Sequence, residues 1–132
     1  AMYFAGYLNV LDKWRRRLRP GGAVAFSEPA WVSEPPSAEA RTFWEEYPEI
    51  RQLFELKEQL EKAGWHVEGQ RWLIGEPWAA YYEPIRDRLS HLKKNEPDEA
   101  LAAAIAETET EIANWEAAPD QIAYALFVVR PA

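Results

Sequence analysis

Leu18-Arg19-Pro20-Gly21-Gly22-Ala23-Val24-Ala25-Phe26 is the stretch from which the fold is read. Pro20 lacks the N–H that a helix interior requires, and the paired glycines accept the positive φ of a tight reversal. Ahead of the turn, Tyr7, Leu11, Trp14 and Leu18 recur at helical spacing. Residues 4–18 are therefore predicted to form an amphipathic helix with those four side chains on its buried stripe. Behind the turn, Ala23-Val24-Ala25-Phe26 shows no polar alternation. That pattern predicts a strand over residues 23–27 covered on both faces, as in a parallel sheet between helix layers.

The chain's 132 residues, 48% apolar with seven tryptophans, predict a single folded domain over residues 1–132 rather than a disordered tail. A net charge of −7 and a pI near 4.9 argue against nucleic acid or an anionic membrane as partner. The absence of cysteine excludes disulfides and thiolate metal sites, and fits the reducing cytoplasm expected as the location. No apolar run reaches the ~18 residues of a membrane span.

Glu28-Pro29-Ala30-Trp31 follows the first strand, then the stiff loop Ser33-Glu34-Pro35-Pro36. Ser37 is the expected N-cap of a short helix through Phe43, Trp44 and Tyr47. A helix from about Glu49 carries Ile50, Leu53, Leu56 and Leu60 to a stop at Gly64. Residues 65–74 read as a strand with a bulge at Gly69, and residues 122–130, almost wholly apolar, as another. Residues 75–121 between them read as helical. Pro77 suits a first turn, Pro84 a kink or break, and Asn95-Glu96-Pro97 a stop before a helix from about Asp98 to Trp115. That helix is expected to bury Leu101, Ile105, Ile112 and Trp115. The expected fold is α/β, with a three-stranded mixed sheet (strands about 23–27, 65–74 and 122–130), flanking helices and a helical insertion or lid over residues 75–121.

The Leu18-Arg19-Pro20-Gly21-Gly22 turn resembles the passage between the fourth and fifth strands of class I S-adenosylmethionine (SAM)-dependent methyltransferases. The Ala63-Gly64-Trp65 entry, the closing 124–130 strand and the Trp78…Tyr81-Tyr82-x-Pro84 segment are similar to that family as well. The resemblance implies a partial doubly wound sheet, the C-terminal half of the fold. The 122–130 strand would be central, and the 23–27 strand would lack its other neighbour. The family's glycine-rich SAM loop and its ribose-binding acid would precede residue 1. SAM is thus expected in the complete enzyme but not bound tightly by these residues, and Tyr3 and Phe4 would lie near the reaction centre. An open strand edge is expected to be covered by homo-oligomerisation, as in a dimer, or by association with the missing half.

Ligands collect outside the carboxyl ends of strands in open α/β sheets, which makes Glu28 and Trp31 candidate substrate contacts. Trp78, Tyr81 and Tyr82 are candidates for an aromatic pocket wall, although their spacing equally describes a core stripe. His66 and His91 have no partner at ligand spacing, so no metal site is expected. The basic run Arg15-Arg16-Arg17 is assigned to the negative end of a helix dipole rather than to phosphate. Two functions remain open. One is the acceptor-side portion of a methyltransferase, inactive alone and acting on an unidentified small molecule. The other is a non-catalytic small-molecule-binding or dimeric module of the same fold.

Overall fold

The glycine turn folds as its composition demands. Gly21 adopts φ +74°, and the N–H of Gly22 donates to the Arg19 carbonyl at 2.8 Å. A computed structural model describes residues 5–32, 36–43, 45 and 50–132. Before the turn lies α1 (Tyr7–Arg15), shorter at both ends than residues 4–18. Of its expected stripe only Leu11 is fully buried; Tyr7 and Leu18 are partly buried, and Trp14 falls outside the seal at 39% exposed. Tyr3, Phe4, Trp44 and Tyr47 lie outside the described residues.

After the turn, β1 (Val24–Trp31) runs beyond the expected 23–27 segment. Val24, Phe26 and Ala30 face inward while Ala25 and Ser27 face solvent, so this strand is not covered on both faces. Alanine and serine are small enough to read as neutral in sequence yet sit on an open sheet face without large cost.

β3 (Trp65–Leu73) and β4 (Ile122–Pro131) match the expected strands, and a two-residue strand, β2 (Arg51–Gln52), completes a four-stranded sheet of order β2-β1-β4-β3. β4 is central, antiparallel to β1 from Val24↔Val129 to Trp31↔Ile122 and antiparallel to β3. The register slips between Val67 and Gly69, the bulge that Gly69 foreshadows. β2 pairs parallel with Ala30 and Trp31 at the end of β1, where the sequence reads as the opening of a helix.

That helix, α3 (Leu53–Lys62), starts where the Glu55 carboxylate accepts from the Gln52 N–H at 2.8 Å. It stops at Gly64, φ +77°. Arg15 closes this stop from the neighbouring helix: its guanidinium donates to the carbonyls of Ala63 (2.7 Å) and Gly64 (3.0 Å) and lies 4.6 Å from the Trp65 ring centroid. Arg15 therefore satisfies the end of another helix rather than its own.

The span between β3 and β4 holds α4 (Glu76–Lys93) and α5 (Glu99–Ala117). Pro84 does not split α4, although the carbonyl of Ala80 loses its helical donor there. Asp98 caps α5, accepting from the Leu101 N–H at 2.8 Å; Leu101 itself is exposed, against the expected stripe. A short α2 (Ala38–Phe43) starts at Ser37, whose hydroxyl accepts from the Ala40 N–H at 3.2 Å.

Two cores result. Leu11 of α1 and Leu56 and Leu60 of α3 pack on Val24, Phe26, Ala30, Trp65, Ala125, Phe127 and Val129 of the sheet. A second cluster joins Ala40, Trp78, Tyr82, Leu89, Ile105, Ile112 and Ala118, with Trp31, Trp115 and Tyr124 against it.

Candidate functional site

Strand direction gathers the aromatic residues at one end of the sheet. β1 and β3 both run antiparallel to β4, so their carboxyl ends, Trp31 and Leu73, share the edge where α4 begins and α5 finishes. Gly75, φ +72°, turns β3 into α4. Trp78, in the first turn, donates its indole N–H to the Leu73 carbonyl at 3.1 Å. Its ring stacks on Tyr82 (5.9 Å), Trp115 (6.1 Å) and Tyr124 (5.6 Å). Tyr82 donates its hydroxyl to the Glu111 carboxylate at 2.9 Å. Burial first, then that carboxylate, hold the Tyr82 phenol far above its usual pKa.

Of the sequence-predicted residues, Trp78 and Tyr82 are thus core members of the second cluster. Tyr81 points outward at 58% exposed, in edge contact with Tyr82. It lines a cavity of about 460 Å³ between α4 and α5 with Pro84, Ile85, Arg88, Leu89, Thr108 and Glu111.

Trp31 belongs to a different cavity, about 430 Å³, at the carboxyl end of β1. Val32, Gln52, Leu53, Phe54, Lys57 and Trp72 complete its lining. β2 delivers Gln52, and the first turn of α3 delivers Leu53, Phe54 and Lys57. Phe54 is 62% exposed, an apolar ring left at the rim. Trp72, Phe54 and Lys57 are not recognisable as site residues in sequence. Trp72 reads as an ordinary strand alternation, and only the parallel pairing of β2 with Ala30 and Trp31 brings α3 to this end.

Glu28 sits on the sheet face that α1 and α3 cover, in one row with Ala125 and Trp72. Beside it, Tyr7 stacks on Phe26 at 5.9 Å and donates its hydroxyl to Gln59 Oε1 at 2.5 Å. Burial, reinforced by the Glu28 carboxylate and opposed by the Arg51 guanidinium, pushes the Tyr7 phenol up to about 12. The structure therefore brings Glu28 and Trp31 to the same end of β1 on opposite faces, and keeps Tyr81 apart from both.

No protein-family model matches the sequence, and no curated protein matches it. Solved structures do. A SAM-dependent methyltransferase from Geobacter sulfurreducens, in complex with S-adenosyl-L-homocysteine, superposes with a TM-score of 0.81 at 20% identity, over 97% of this chain and 53% of its own. A SAM-dependent methyltransferase from Thiobacillus denitrificans, in the same complex, gives 0.82 at 17% identity over 97% and 53%. YjhP from E. coli gives 0.81 at 19% identity over 97% and 54%. The chain spans about half the length of the structures it matches, and over that span it has the class I SAM-dependent methyltransferase fold.

Proposed function

We propose that this chain is the C-terminal, acceptor-side portion of a SAM-dependent methyltransferase, inactive as the isolated 132-residue polypeptide. One observation carries the reading. The chain superposes over 97% of its length on about half of enzymes crystallised with S-adenosyl-L-homocysteine, and an aromatic groove lies at the carboxyl end of β1, where open α/β sheets bind ligands.

The expectation that SAM is not held tightly by these residues is supported by the form of the glycine turns. Gly21 and Gly22 lead into a strand, and Gly75 is followed by Glu76 and Pro77, which place a carboxylate and a missing N–H where an anion-binding helix start needs free donors. When bound by residues outside this chain, SAM supplies a methyl group already activated on a sulfonium. The work left to this half is to hold the acceptor in line and keep water out. Trp31 is assigned to acceptor contact in the groove, and Glu28, on the other sheet face, is kept as a separate candidate contact at the same end of β1. Trp78 and Tyr82 are positioning residues, since they brace the end of the sheet from inside the second cluster, and Tyr81 lines an outer groove. The outer edge of β1 over Val24 to Ser27 has no strand partner among the described residues, and either a second copy or the cofactor-binding half is the expected neighbour.

Calorimetric titration of SAM into the 132-residue chain tests the claim of inactivity: no saturable binding is expected below about 1 mM, and micromolar binding would overturn it. The coding sequence upstream of Ala1 tests the rest. An extended product carrying a glycine-rich strand–helix turn is expected to transfer label from methyl-labelled SAM. If no such product is encoded, the non-catalytic module replaces the enzyme reading. Light scattering reporting a compact monomer, with fast amide exchange at residues 24–26, would remove the proposed association.

A further inference from the structure

The groove at the carboxyl end of β1 has an uneven chemical lining. Trp31, Trp72 and Phe54 offer ring surface, Leu53 and Val32 add aliphatic walls, and Lys57 is the single charged side chain among its lining residues. Lys57 forms no ion pair among the described residues; of the acids on α3, Glu61 stands one helical turn away from it, and two others are engaged elsewhere. Glu55 accepts from the Gln52 N–H, and Glu58 pairs with Lys62 at 2.8 Å. The cavity between α4 and α5 differs: Arg88 and Glu111 line it together, and it shows no preference of sign.

We infer that the β1 groove binds a planar aromatic acid, its ring system against Trp31, Trp72 and Phe54 and its carboxylate on the Lys57 ammonium. The inference rests on the acceptor-site reading above and narrows it to one substrate class. A volume of about 430 Å³ accommodates a one- or two-ring acid. Ring-on-ring contact supplies affinity without selecting an anion. The ammonium of Lys57, a partly buried residue, supplies the selection, because a charge-assisted hydrogen bond outweighs a neutral one where water is partly excluded. In a chain of net charge −7 the long-range field repels anions, so discrimination must come from this short-range contact.

Tryptophan fluorescence and amide chemical shifts of the 132-residue chain, titrated with 2-naphthoate, 2-naphthamide and 2-naphthylmethylammonium, test this without SAM. Naphthoate is expected to bind about fivefold or more tighter than naphthamide, with the ammonium compound weakest. Shifts are expected at residues 52–57 and 72. Lys57→Gln should bring naphthoate down to the naphthamide level and leave naphthamide unchanged, while Lys57→Arg keeps the preference. Trp72→Leu should weaken both. Equal affinities for the three probes, a preference for the ammonium, shifts confined to Tyr81 and Thr108, or no saturable binding would each overturn the inference. Because SAM is absent from the assay, such a failure leaves the methyltransferase reading standing; failure of methyl transfer leaves this binding result intact.

Discussion

The two hydrophobic clusters of this molecule are built on different principles. The first mixes aliphatic and aromatic side chains and belongs to the sheet: rows such as Val24↔Val129 and Phe26↔Phe127 stack across β1 and β4, and leucines from α1 and α3 close over them. Its cohesion comes from buried area with little directional chemistry. The second is aromatic and belongs to the insertion. The rings of Tyr82, Trp115 and Tyr124 stack on Trp78, and two polar anchors, Trp78 to the Leu73 carbonyl and Tyr82 to Glu111, fix their geometry. Ion pairs Arg86–Glu116 and Lys93–Glu109 tie α4 to α5 on the surface. An area-driven core tolerates change at its margins, whereas a ring cluster pinned by single hydrogen bonds depends on a few residues.

The sharpest break between the clusters should come from Phe127→Ala. It removes a fully buried ring from the middle of the central strand and should cost about 3–5 kcal/mol, with loss of all structure in one urea transition by circular dichroism. Trp78→Ala should cost about 3 kcal/mol and act locally. Amide exchange in α4 and α5 is expected to rise while β1 and β4 stay protected, and equal loss of protection in both regions would show that the clusters are one cooperative unit. Tyr82→Phe deletes only the hydroxyl bond to Glu111 and should cost about 1 kcal/mol in urea unfolding.

Alkaline titration compares the clusters through one tyrosine each. Tyr7 and Tyr82 both hold their protons above the usual phenol range. Below pH 10 this contribution to stability is intact. As pH rises from 10 toward 12, unfolded-state phenols ionise while the folded ones stay neutral, and stability falls. Tyr7→Phe and Tyr82→Phe should each flatten that decline in urea midpoints measured between pH 9 and 12. The smallest effect belongs to Asp98→Ala, about 0.5–1 kcal/mol through the lost α5 cap, read as a lower melting temperature.

Much of the first cluster was legible in the sequence and much of the second was not. The Pro20-Gly21-Gly22 turn, the stop at Gly64, the bulge at Gly69 and the apolar 122–130 run each carry a local backbone requirement, and each lies where it was expected. The partners of Trp78 and Tyr82 come from α5 and β4, about 30–45 residues away, and helical spacing alone cannot distinguish a pocket wall from a core stripe. β2 is illegible for another reason. Two residues have no periodicity, and Arg51 and Gln52 become a strand only because Ala30 and Trp31 offer them an edge. The groove inherits that blindness, since β2 sets where Phe54 and Lys57 stand. The open face of β1 was misread because Ala25 is apolar in composition but too small to require cover.

The position of β4 in the chain has a consequence for synthesis. The strand that unites β1 with β3 follows every other described element, about 100 residues after β1 is complete. At bacterial or eukaryotic ribosome speeds of roughly 5–20 residues per second, β1 waits about 5–20 s without the long central strand that completes its pairing. During that interval the nascent polypeptide is exposed to chaperones and to its own neighbours on the same messenger, which makes translation rate through the helical insertion a determinant of yield.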